Sequence, residues 1–394
     1  MIVSREKENL LSQVRDSSVL VDLIRSVAMV AVVLLHAAND LTIQQMNQFE
    51  IIRWTTVDVY QSLGRIGVPL FLLLTGALLL QPSKIDEPIK VFFKKRVSRI
   101  GLAFVFWGAV YFAWDFLVVH KINDQPITTN SIIQGILTGP YYHFWYLYLL
   151  LGLYLLTPIM RVIVAHADRN LIKYLLVIWF LGASVLPLFT LVTSLHLDSN
   201  VFVLSGYFGY FFLGVYLLSI TVRRSIIAIL FAVAIALTAL GTYIIAWTIG
   251  GGTMFFFQEY LSPTLILAAV SMFLLLSTFK EPQCASLVTQ ASSLTQTAIP
   301  ALVTQQTTLT EKPSHHKSLS RKLMHAISVN TLPLYLFHVM VLETIQYGYL
   351  GFAFNGNVMN SIIEVPVMTV IVLFVSLGII LVMKKVPILN KLIG

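Results

Sequence analysis

Charge is what this chain lacks. Of its 394 residues only 11% are Asp, Glu, Lys or Arg, 57% are apolar, and the mean hydropathy is +0.82. Soluble domains carry about 25% charged residues, so a chain this poor in solvating groups reads as an integral membrane protein. Cysteine is scarcer still: Cys284 stands alone, which excludes an internal disulfide framework and a cysteine metal cluster. There is no internal repeat and no extramembrane stretch long enough for a second globular domain, so residues 1–394 read as a single transmembrane domain. The formal net charge of +8 would point to nucleic acid in a soluble protein. Here it has to be read through its distribution over the loops, and no nucleic-acid partner is expected.

What is present is a series of long apolar runs. A window of about 20 residues picks out spans near 19–38, 62–80, 99–119, 143–161, 171–192, 201–219, 225–249, 260–279, 327–349 and 361–383. With a cytoplasmic N-terminus, the inner segments hold Lys84, Lys90, Lys94, Lys95, Arg96, Arg99, Arg161, Arg169, Lys173, Arg223, Arg224, Lys384 and Lys385. The outer ones keep Arg53 and Lys121 beside Asp40, Glu50, Asp124, Asp198 and Glu259. The positive-inside rule is then met throughout. The expected fold is all-α, a polytopic bundle of about ten transmembrane helices in a lipid bilayer with both termini cytoplasmic. The first span is too long for a signal peptide and lacks a small-residue cleavage site after Asp40, so it is expected to be retained. Residues 283–320 are rich in Ser, Thr, Gln and Ala and read as a flexible cytoplasmic linker. The pair His315-His316 within it reads as solvated, and no metal is expected.

The first span carries the most informative residues. Ionisable groups at membrane depth cost roughly 2.5–3.5 kcal/mol on insertion scales and usually face a bundle interior. Arg25 and His36 are eleven residues apart, which is three turns plus about 20° of helix, so both lie on one face about 16 Å apart.

Around them the residues come to resemble a family. Asp22-Leu23-Ile24-Arg25 leading to Leu35-His36-Ala37 resembles the signature helix of the acyltransferase-3 family of membrane O-acyltransferases. Arg65-Ile66-Gly67-Val68-Pro69-Leu70-Phe71 running to Thr75-Gly76 is similar to its second segment, with Thr75 where serine is commoner. Phe93-Lys94-Lys95-Arg96-Val97-Ser98-Arg99, His143-Phe144-Trp145-Tyr146-Leu147, Gly206-Tyr207-Phe208-Gly209 and Leu334-Tyr335-Leu336-Phe337-His338 follow in the family's order. The resemblance implies a membrane-bound O-acyltransferase that moves an acyl group, most often acetyl, from cytoplasmic acyl-CoA to a hydroxyl of a cell-surface or lipid-linked glycan. Acyl-CoA would be a co-substrate, with no permanently bound cofactor. Many relatives carry a fused extracytoplasmic hydrolase-like domain; none follows here before Gly394. A second transfer step would therefore need a separate extracytoplasmic transferase, and a homo-oligomer is the other partnership left open.

Acyl transfer to a hydroxyl needs a base or a nucleophile, with positive groups to steady the developing oxyanion. His36 is the natural base or transient acyl carrier, since imidazole titrates near neutral pH. Arg25, with a role in catalysis, could bind a phosphate or orient the thioester; an ion pair with Asp22, three residues earlier, is the structural alternative. Arg96 and Arg99, paired at the family's spacing, could clamp coenzyme A phosphates, or serve only the positive-inside rule. His338 and Tyr335, one turn apart, are supporting residues that could line the His36 cavity. Trp145 could offer a platform for a sugar ring. Arg65 could meet a glycan phosphate or snorkel to the interface. The other class of function is a proton-coupled transporter or exporter of a glycan or small molecule, with Arg25, His36, His338 and Glu343 as a relay. The expected location is the bacterial cytoplasmic membrane, crossed many times.

Overall fold

The computed structural model describes residues 18–45, 51–116, 128–195, 206–249, 251–278, 319–351 and 360–394. Every regular element among them is helical, as the apolar runs require. In chain order the helices are α1 (Ser18–Gln45), α2 (Ile51–Gly64), α3 (Gly67–Leu79), α4 (Ile89–Trp114), α5 (Thr129–Thr138), α6 (Trp145–His166), α7 (Arg169–Phe180) and α8 (Leu186–Thr193). They continue with α9 (Phe208–Leu217), α10 (Arg224–Thr248), α11 (Pro263–Ser277), α12 (Leu319–Val329), α13 (Thr331–Gln346), α14 (Ser361–Met383) and α15 (Pro387–Leu392). Among the described residues eight helical stretches are long and apolar enough to cross a membrane, or nine if the bent pair α12 and α13 counts as one. The linker expected at 283–320 lies outside the described residues, apart from its last two, which open α12.

Three expected spans take a different form. The second starts at Ile51 rather than near 62, because Arg53, Asp58, Gln61 and Ser62 depress the hydropathy of a segment that is nonetheless packed. Asp58 is buried there and accepts a 2.6 Å hydrogen bond from the Gln258 amide. The span is also broken between α2 and α3, at Arg65-Ile66. Pro69 has no N–H to offer the Arg65 carbonyl, and its ring crowds that carbonyl, so the helix stops and restarts. The ninth span is two helices, α12 and α13, meeting at 86°. Pro333 stands four residues after Val329, the last residue of α12, and breaks the ladder in the same way. The sixth, expected at 201–219, is helical over Phe208–Leu217, with 201–205 outside the described residues.

At the centre lies α1, packed against α2, α3, α11, α12, α13 and α14. Ala28, Met29, Val33 and Ala38 on it are fully buried. Apolar burial gives no net drive inside lipid, so close backbone approach and polar contacts must hold the helices together. Glycines allow that approach. A Cβ on Gly64 would sit 2.6 Å from the Leu35 backbone nitrogen, and one on Gly67 would sit 2.7 Å from the Ala28 carbonyl oxygen. The α12 helix lies across the first turns of α1, where Ser26 Oγ donates to the Met324 carbonyl at 2.9 Å and His325 meets Asp22 at 2.7 Å.

A buried arginine closes the α3–α4 connection. Arg161, from α6, is 4% exposed and donates to the carbonyls of Leu79 and Lys84 at 2.8 and 3.2 Å. It also pairs with Glu87 at 3.1 Å and lies over the Phe92 ring. It is therefore a packing clasp rather than a free loop charge. Removing the guanidinium leaves the Leu79 and Lys84 carbonyls without their donor, so Arg161→Met is expected to cost about 2 kcal/mol, read as a lower thermal midpoint. Hydrogen bonds from Lys95 and then Arg161 hold the Glu87 carboxyl below the usual carboxylate range. The stabilisation from a depressed carboxyl is complete above the unfolded value, about 4.3, and is lost as pH falls through the folded one. The midpoint gap between the wild type and Glu87→Gln should then be constant down to about pH 5.5 and close below about pH 4. A gap unchanged in acid would count against this pairing.

Candidate active site

Two groups of polar side chains flank α1, about three turns apart. At the His36 end, α13 and the turn before α6 deliver a second and a third imidazole. The His36 and His338 ring centres are 5.1 Å apart, and those of His338 and His143 are 6.0 Å apart. His143 and His338 are fully buried, and His36 is half-buried. Tyr142, 51% exposed, covers the opening with its ring centre 5.4 Å from that of His36. Tyr335 points its hydroxyl at the His143 carbonyl, at 2.6 Å, and so braces the short 3-10 turn Tyr142–Phe144 against α13. Three residues apart in α13, Tyr335 and His338 lie on one face, where His338 meets His36 of α1 and Tyr335 meets the turn before α6.

Beside this cluster Arg65 emerges from the break between α2 and α3. Its guanidinium lies 5.5 Å over the Tyr260 ring, and its charge reaches His36. Tyr260 stacks on Trp145 at 5.4 Å with the planes 30° apart. An arginine over stacked aromatics is a surface suited to a ring that carries an anionic group. Farther along α13, Glu343 accepts from the Trp114 indole at 3.0 Å and from the Tyr141 hydroxyl. Its lone pairs serve packing between α4, α13 and the turn before α6.

At the other end of α1, Arg25 is half-buried and lies near Arg96, Arg99 and Tyr154. Asp22 takes His325 instead of Arg25 as its hydrogen-bonded partner, contrary to the ion pair considered from spacing. The geometry is simple: α12 crosses α1 at that turn and presents His325 directly, while Arg25 extends toward α4. Arg96 is half-buried over the Phe92 ring at 5.9 Å, and Arg99 is exposed. Lys384, just past the end of α14, joins them; burial and then the Arg99 charge push its ammonium below the usual lysine range. Among the described residues Asp22 is the carboxylate whose charge reaches Arg25, so the cations here outnumber it, as suits an anion.

Of the residues singled out from sequence, His36, His338 and Tyr335 stand in one cluster with Arg65 and Trp145 alongside, and Arg25, Arg96 and Arg99 stand in the other. His143, Tyr142, Tyr260, Tyr154 and Lys384 had no role on sequence grounds. His143 lies far from His36 along the chain, and an imidazole beside an aromatic belt gives no local signal of what it faces. Among the described residues no group of three or more His, Cys, Asp or Glu is arranged to hold a metal.

Comparison with known proteins bears on this arrangement. The family model described as an acyltransferase domain, acyltransferase-3, matches residues 19–382. The chain belongs to the acyltransferase-3 family. It is also similar to a protein of Acidianus two-tailed virus named "Putative acetyltransferase ORF330", with 28% identity over 127 residues. That match covers 31% of this chain and 36% of the viral protein, so the chain spans about a third of the length of the curated relative it matches. No solved structure matches. Both polar groups fall inside the family match, apart from Lys384.

The seating of α1 against α2 should be intolerant of bulk. Gly64→Ala places a methyl against the Leu35 backbone, one residue from His36, whereas Gly152 has open space around it. The Gly64 variant is expected to lose several degrees of thermal midpoint and most of any His36-dependent activity. Gly152→Ala should stay within about a degree of wild type.

Proposed function

We propose that this protein is a membrane-bound O-acyltransferase that moves an acyl group, acetyl foremost, from cytoplasmic acyl-CoA to a hydroxyl of a cell-surface or lipid-linked glycan. The observation that carries the reading is the placement, on the stripe of one central helix, of an arginine among further arginines at one end and an accessible imidazole at the other. In this reading the N-terminal end of α1 faces the cytoplasm of a bacterial cell, both termini are inside, and coenzyme A docks its phosphates on Arg96, Arg99 and Lys384 with Arg25 above them. Coenzyme A is too charged to cross a bilayer, but its pantetheine arm is long and thin. The acyl end alone travels along α1 to His36.

At His36 the acceptor hydroxyl attacks the thioester carbonyl while the imidazole takes its proton. The carbon–sulfur bond breaks, the sulfur leaves with the electron pair and recovers that proton, and the products are the ester and a free thiol. Arg65 and the Tyr260–Trp145 stack hold the acceptor, the guanidinium meeting a phosphate and the rings meeting a sugar face. Family membership and the likeness to a protein named for acetyl transfer support this chemistry.

Labelled acetyl-coenzyme A and purified protein in nanodiscs test the division of labour. Arg96→Ala with Arg99→Ala should raise the donor KM at least about tenfold, as loss of charge-assisted phosphate contacts does. His36→Ala should bind donor normally while turnover falls at least about a hundredfold. Equal turnover in wild type and His36→Ala would remove the proposal. A strain lacking the protein should also lose one ester from its surface glycans by mass spectrometry, which names the acyl group and the acceptor together.

A further inference from the structure

The orientation of the three imidazoles carries information that their proximity does not. His338 Nδ1 lies 2.8 Å from the Tyr335 carbonyl oxygen and 3.1 Å from that of Leu334. Both neighbours are acceptors only, so Nδ1 must carry the ring proton. A neutral imidazole with its proton on Nδ1 has a bare lone pair on Nε2, and His338 Nε2 is buried without a hydrogen-bond partner. On the facing ring, His36 Nδ1 is likewise buried and without a partner. The other His36 nitrogen, Nε2, is not among the buried orphan atoms and makes no hydrogen bond, so it is the nitrogen of this half-buried ring that is not sealed off. The ring centres stand 5.1 Å apart, closer than the 6.0 Å between His338 and His143. A centre spacing of 5.1 Å is the one that two imidazoles take when a nitrogen of each faces the other across a hydrogen bond.

We propose that His338 is a positioning residue for His36: its Nε2 lone pair accepts the His36 Nδ1–H, so that His36 Nε2, the nitrogen that is not sealed off, is left bare to act as base. Two backbone carbonyls thus set the tautomer of one imidazole, and that imidazole sets the tautomer of the next. This orients a base through a neutral acceptor, where a carboxylate does so in better-known triads. When His36 Nε2 takes the acceptor proton the ring becomes imidazolium, and the bond to His338 Nε2 strengthens because its donor is now charged. Proton and electron accounts are those of the transfer step above. The inference rests on the reading of His36 as base.

Two isosteres separate this role from packing. The amide nitrogen of asparagine falls near the place of Nδ1 and keeps the bond to the backbone carbonyl, but it leaves nothing at Nε2. The amide oxygen of glutamine falls near Nε2 and keeps the acceptor. With acetyl-coenzyme A as probe and release of free thiol as readout, in nanodiscs, His338→Gln is expected to turn over at least about tenfold faster than His338→Asn. The donor KM should stay within about threefold of wild type in both. A purely structural histidine would give the reverse order, and a reversed order or a gap below about tenfold overturns the proposal. Nitrogen NMR of histidine-labelled wild-type protein decides it without turnover. The signal lost in His36→Ala should be that of the Nδ1–H tautomer, and an Nε2–H signal there overturns the assignment. If the wild type shows no His36-dependent turnover, the acyl-transfer reading fails while the tautomer measurement still stands.

Discussion

A buried polar group in a bilayer needs a partner or a purpose, and α1 carries two such groups on a helix enclosed by six others. That constraint organises the molecule. Because Arg25 and His36 cannot face lipid cheaply, the stripe that holds them must face protein, and the helices that cover it must bring polar groups of their own. α4 brings Arg96 and Arg99, α13 brings His338, and the break between α2 and α3 brings Arg65. None of these need have followed from burying apolar area, since lipid would bury that area as well.

The same constraint explains why two of the spans are interrupted. An unbroken second span would carry Arg65 past the level of His36 in a regular turn, with its backbone satisfied and its side chain on whichever face the 3.6 period dictated. Pro69 releases that turn, and Gly64 and Gly67 on either side let α2 and α3 press against α1 where the chain changes direction. The bend at Pro333 does the equivalent for Tyr335 and His338. It also frees α12 to cross the first turns of α1 and bond Asp22 through His325, so that Asp22 reaches Arg25 by charge and not by a direct pair. Proline, glycine and an acid bonded elsewhere together leave Arg25 and His36 free of a direct ion pair along α1.

How much of this is legible in the sequence depends on the distance over which each signal acts. Helical positions follow from apolar runs, and the Arg25–His36 stripe follows from helical geometry, because both are local. The breaks were legible too, in Pro69 and Pro333, but a hydropathy window averages across them and reports one span. Asp58, Gln61 and Ser62 mislead such a window for the opposite reason: they are polar by composition but buried in fact, with one Asp58 oxygen bonded to Gln258 two hundred residues away. Arg161 looks like any other cationic residue at the end of a span, and only the carbonyls of Leu79 and Lys84 folded over it reveal a clasp. His143 and Tyr260 acquire meaning only through neighbours that the fold supplies.

This difference in range bears on how the two ends of α1 differ chemically. The arginine end needs only charge of one sign, which a family-like spacing on α4 nearly suffices to encode, and it leaves side chains half-buried and adjustable around an anion that brings its own charge. The imidazole end needs a particular atom of a particular ring to be bare, and charge cannot specify that. It requires directional hydrogen bonds in a buried setting, where an unmet donor or acceptor costs about 1–3 kcal/mol. The acceptors around His338 are backbone carbonyls of its own helix, which restarts at Thr331 after the break. On the proposed assignment, the helix that restarts beside Pro333 supplies the two carbonyls that fix the His338 tautomer, and through it the His36 nitrogen that takes a proton.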